Sequence, residues 1–84
     1  MNEFLIREYV ARMTKEDVKG FAQNNGVTLN DSELDIIHTY LNKHWRTFYY
    51  GNPKEILEEL KKKLSSETYS KLELLYIQLK NKLS

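Results

Sequence analysis

Two four-residue stretches constrain this chain more than anything else in it: Thr14-Lys15-Glu16-Asp17 and Asn30-Asp31-Ser32-Glu33. Each sets a short polar residue three positions ahead of a carboxylate, just before a run with helical apolar spacing. In such a capping box the first side chain accepts from the backbone N–H three residues on. The carboxylate reaches back to the first residue's own N–H, so two donors left over by the helix start are satisfied together. Met13 with Val18, and Leu29 with Leu34, add a hydrophobic staple around each cap. A strand has no use for either device, so the chain is expected to fold as helices with fixed starting points.

Five helices follow. The first spans roughly 3–12, with Ile6, Tyr9, Val10 and Met13 at helical spacing and Phe4 and Leu5 ahead of them. The second starts at Thr14, buries Val18, Phe21 and Ala22, and ends at Gly26, where a left-handed residue costs glycine nothing. The third starts at Asn30. Its stripe of Leu34, Ile37, Leu41, Trp45 and Phe48 shares one narrow sector of the helical wheel, which makes Trp45 and Phe48 core residues, whether residues 45–50 continue the helix or unwind before Phe48 and plug the core from a loop. The fourth opens with Asn52 as cap, Pro53 in the first helical position and Glu55 at box spacing, and it faces Ile56, Leu57, Leu60 and Leu64 inward. Glu58 with Lys62, and Glu59 with Lys63, are spaced to pair along it. Ser65 caps the fifth, whose inward face carries Tyr69, Leu72, Tyr76, Leu79 and Leu83. Each glycine and the single proline is read as punctuation. No alternating run or hairpin turn suggests a strand. The expected fold is all-α, one compact domain of four or five short helices over residues 1–84, with the third and fifth helices packed together.

Length and composition narrow the function. A chain of 84 residues supports one domain with a thin core. It has no cysteine, which excludes disulfides and thiolate metal sites and fits a reducing compartment. The longest apolar run is Leu74 to Ile77, too short for a membrane span. The opening MNEFLIRE, with an acid at position 3, does not read as a secretion signal, so a cytoplasmic setting is expected. The net charge of +1 conceals an acidic half (residues 1–40) and a basic one (residues 41–84). The lysines of the second half read chiefly as solvated helix faces.

Catalytic and metal chemistry are hard to find. His38 and His44 lie six apart, whereas helical zinc pairs stand three or four apart. Each histidine reads as a boundary residue with an apolar body and a wet tip. The serines sit at helix starts or outer faces without a neighbouring histidine, and three isolated glycines make no phosphate loop. No cofactor, no metal and no enzymatic activity are expected. The stretch FAQNNGV matches the first half of a helix-turn-helix, but Ser32 and Asp35 stand where its second half needs apolar residues. Asp31, Glu33 and Asp35 on the would-be reading helix would repel phosphates.

The Thr14-Lys15-Glu16 start, the connector Asn25-Gly26-Val27-Thr28-Leu29-Asn30 and the Ser65-Ser66-Glu67-Thr68 start together resemble the domain of unknown function 2624, small proteins of Gram-positive bacteria, over about residues 12 to 83. Ser66 stands where that family is expected to have proline, and residues 45–50 are more aromatic than expected. The resemblance implies an all-helical fold and a bacterial cytoplasmic setting. It implies no activity and no site residues.

Two functional expectations remain. The first is a non-enzymatic protein–protein interaction module. Leu74 and Ile77 lie across the fifth helix from its inward face, and Ile36 and Tyr40 are displaced from the stripe of the third. Either the fifth helix is buried on two sides, or these four residues form a surface for a partner or for a homodimer. The second is single-stranded nucleic-acid binding, with Tyr49 and Tyr50 as stacking groups and Lys43, His44 and Arg46 as basic ones. One arginine and one or two free rings make a small platform, so nucleic acid is the lesser expectation.

Overall fold

The computed structural model describes residues 3–83, and the side chains of these except 79, 80, 82 and 83. Leu79 and Leu83, expected on the inward face of the last helix, therefore lie outside the described side chains. The described residues form five helices and no strand: α1 Glu3–Arg12, α2 Lys15–Asn24, α3 Asp31–Tyr50, α4 Lys54–Lys63 and α5 Ser66–Leu83. The radius of gyration is 12.3 Å, close to the roughly 12 Å of a compact domain this long.

Both capping boxes form with both arms in place. The Asp17 N–H donates to Thr14 Oγ1 at 3.1 Å and the Thr14 N–H to the Asp17 carboxylate at 2.9 Å. The Glu33 N–H donates to Asn30 Oδ1 at 2.8 Å and the Asn30 N–H to Glu33 Oε1 at 3.4 Å. Helix α2 ends in a Schellman closure: the Gly26 N–H donates to the Gln23 carbonyl and the Val27 N–H to the Ala22 carbonyl. Gly26 has φ +80°, the conformation that closure needs. The closure turns Val27 and Leu29 into the core beside Ala22.

Helix α4 starts one residue later than expected. Pro53 is its cap, and the Asn52 side chain accepts from the Lys54 N–H at 3.1 Å in a turn of its own. Gly20 does not punctuate; it lies inside α2. Glu59 and Lys63 also depart from the expected pairing along α4. Tyr40 of α3 takes both, its hydroxyl donating to Glu59 at 3.0 Å and its ring lying 5.6 Å from the Lys63 ammonium.

The core holds Val18, Ala22, Val27, Leu29, Leu34, Ile37, Leu60 and Leu64, flanked by half-buried side chains from α3, α4 and α5. No described side chain is completely shielded from solvent. Helix α3 is the hub against which α1, α2 and α4 pack, while α5 packs on α4. Helices α3 and α5 meet through side chains: the Phe48 and Tyr76 rings stand edge-on at 5.8 Å, and the Tyr76 hydroxyl donates to the Phe48 carbonyl at 3.2 Å.

Helix α3 is kinked at His44, where φ −122° and ψ 18° leave the helical region. The kink corrects the expectation for Trp45. The residues after it are rotated relative to the stripe before it, so Trp45 is half-buried outside the core cluster. Its ring lies under the Arg46 guanidinium, 5.4 Å from the centroid. Phe48 still reaches the core. Trp45→Ala is accordingly expected to cost clearly less than the ~3–5 kcal/mol of a core aromatic, and less than Phe48→Ala, in paired urea titrations.

One buried charge ties the two halves together. Glu33, only 8% exposed, accepts at Oε2 from the Ser65 N–H at 3.4 Å and the Ser65 hydroxyl at 3.3 Å. Ser65 Oγ in turn accepts from the Thr68 N–H at 3.2 Å and caps α5 as expected. Burial alone would raise the Glu33 pKa, but hydrogen bonds from Thr68, Asn30 and Ser65 outweigh it and hold the carboxyl below its ordinary value. The folded state therefore takes up this proton less readily than the unfolded chain. The stability from Glu33 is complete above the unfolded value of about 4.3 and is lost as pH falls through the lower folded value. Glu33→Gln is expected to cost about 1.5–3 kcal/mol at neutral pH. It should also flatten the acid limb of a stability-against-pH curve, read by circular dichroism in denaturant.

Gly20 supplies the converse case. A methyl group built on it meets nothing within 4 Å, and its φ is ordinary. Gly20→Ala should raise the urea midpoint, with a gain of about 0.5–1 kcal/mol.

Candidate interaction surfaces

The four residues expected to form an apolar patch separate into two pairs. Ile36 and Tyr40 are half-buried against the core, and Tyr40 is engaged by Glu59 and Lys63 of α4. Leu74 and Ile77 face outward from α5, 61% and 47% exposed. Helix α5 is thus not buried on two sides. Ile77 borders a groove of about 560 Å³, walled also by Gly51, Pro53, Leu57 and Tyr76.

Periodicity missed a second apolar surface. Tyr9 and Phe21, expected inside, are 71% and 47% exposed. Helix α1 buries no residue; it packs on α3, and its Ile6 and Val10 are half-buried. Leu5, Tyr9 and Phe21 line one groove between α1 and α2. The sequence carries one trace of it: Leu5 stands four residues before Tyr9, which puts the two on one face of α1.

Polar contacts hold α1 and α2 to α3. The Glu3 carboxylate pairs with Arg46 at 2.7 Å, and Lys15 pairs with Asp35. His38 Nε2 lies 2.9 Å from the Met13 carbonyl in the α1–α2 connector. A carbonyl only accepts, so Nε2 carries the proton. Asn42 Nδ2, 3.1 Å from that nitrogen, then cannot donate to it and donates to the His38 carbonyl at 3.1 Å. The tip of His38 is a structural donor, where the sequence suggested a wet one.

The stretch considered for nucleic acid is partly spent inside the protein. Arg46 is shared between Glu3 and the Trp45 ring. His44 sits at the kink with its ring 5.5 Å from Tyr40. Tyr49 is half-buried and meets Tyr50 edge-on at 4.7 Å. Tyr50 and Lys43 are exposed. Partial desolvation, followed by the Glu3 carboxylate, pushes the Tyr50 hydroxyl above its ordinary pKa. An acid therefore stands beside the platform.

Among the described residues no group of three or more acidic, histidine or cysteine side chains could hold a metal ion, and no helix is long and apolar enough to cross a membrane. Comparison with family models, curated proteins and solved structures finds no match. The resemblance to the domain of unknown function 2624 therefore rests on its capping stretches alone.

Proposed function

We propose that this chain is a non-enzymatic helical interaction module that self-associates through the outward face of α5. The carrying observation is the exposure of Leu74 and Ile77, two large apolar side chains three positions apart on α5 that the bundle leaves largely in water. Neighbouring large apolar side chains left in water on a domain this small favour association. The reading includes a cytoplasmic bacterial setting, which the cysteine-free sequence supports and to which the family resemblance contributes.

Sedimentation at micromolar concentration should give a dimer for the wild type. Leu74→Glu combined with Ile77→Glu should give a monomer with unchanged helical circular dichroism, because both side chains already face solvent. A wild-type monomer would remove self-association and leave a different protein as the partner.

Single-stranded nucleic acid is the second reading, and the exposed Tyr50 and Lys43 are what favour it. The Glu3–Arg46 ion pair weighs against it. Poly-U at low salt is expected to leave Trp45 fluorescence unchanged, and saturable quenching would restore this reading.

A further inference from the structure

A partly open cavity of about 190 Å³ lies between α2, α3, α4 and α5, walled by their side chains and by Leu29 and Leu64. Ala22, Ile37, Leu60 and Leu72 represent its apolar lining, and among the described residues around it Glu73 is the one charged group. The polar atoms nearby are mostly committed. The Tyr69 hydroxyl donates to Glu73 Oε2 at 3.1 Å, and the Tyr76 hydroxyl donates to the Phe48 carbonyl. Water gains too few partners in such a space, and an apolar cavity of about 150 Å³ is already large enough to stay dry and hold benzene.

We propose that this cavity is a binding site for one small, uncharged apolar molecule. The size corresponds to a single substituted aromatic ring or an alkyl chain of about six carbons. The apolar wall sets the polarity of the ligand. A ligand carboxylate would lose its water against this wall without gaining a partner, whereas an uncharged ring or chain gives up little. The site thus takes alcohols and indole-like rings and rejects short fatty acids. This proposal is independent of self-association, since Leu74 is not in the cavity wall.

The test is a titration of the wild-type protein with indole, 1-hexanol and hexanoate, followed by proton–nitrogen correlation spectra. Indole and hexanol should saturate at one equivalent with a dissociation constant of about a millimolar or tighter. Hexanoate should bind at least about tenfold more weakly, because its carboxylate would be desolvated against an apolar wall. Intermolecular NOEs from indole to the methyl groups of Leu60 and Leu72 should locate it in the unaltered protein. Leu72→Phe, which fills the space, should abolish the indole shifts while keeping the fold. Absence of saturable shifts with either neutral probe, NOEs to other residues only, or undiminished indole binding in folded Leu72→Phe would each overturn the proposal. Should Leu72→Phe fail to fold, the wild-type NOEs decide alone.

Discussion

The fold depends on what one carboxylate does at the meeting of two helix starts. Glu33 closes the capping box of α3 and, with its other oxygen, receives the N–H and hydroxyl of Ser65 at the start of α5. Helix N-termini carry partial positive charge, and two of them brought together without an anion would repel each other and leave donors buried. A single side chain satisfies both ends, which is why an ionised acid is tolerated where the core is otherwise apolar. The capping pattern showed only the half of this that lies within α3. The half that reaches 32 residues along the chain is tertiary.

The two sides of the molecule are held differently. The buried apolar residues come from α2, the connector after it, α3, and α4 with the Leu64 that ends it, whereas α1 contributes none. Helix α1 is retained by half-buried Ile6 and Val10, the exposed Glu3–Arg46 pair and the His38 bond to the connector. Exposed pairs of this kind contribute little each, about 0–1 kcal/mol. Local opening should therefore begin at α1. The apolar side chains nearest that opening, Tyr9 and Phe21, already stand half in water or more.

Local signals were legible in the sequence. Both boxes, the left-handed Gly26 and the Ser65 cap depend on neighbours within a few residues, and all form as read. The errors lie where a partner element decides. Two apolar faces on α3 left open whether Ile36 and Tyr40 would meet α4 or solvent, and periodicity does not name neighbours. Trp45 was misplaced because the stripe was extended as a straight helix, and neither glycine nor proline marks the break at His44. Tyr9 was misplaced because the α1 stripe was taken to face a core that α1 does not enter, and Phe21 because the buried face of α2 narrows to Val18 and Ala22. The apolar cavity had no sequence signature at all. It is the volume left over when four helices of fixed length meet.

The turn at Leu64 and Ser65 also bears on how quickly the chain finds its structure. Each cap closes within three residues and costs little loop entropy, so helix starts can flicker into place in the unfolded chain. Helix pairs that are neighbours in sequence, such as α2 with α3 and α4 with α5, can then dock as short-range events. The long closure that remains is the one that carries Ser65 back to Glu33. A helical topology with so few distant pairings belongs to the microsecond-to-millisecond class of folders. In that topology the Glu33–Ser65 contact joins two pairs of sequence-neighbouring helices through a single carboxylate.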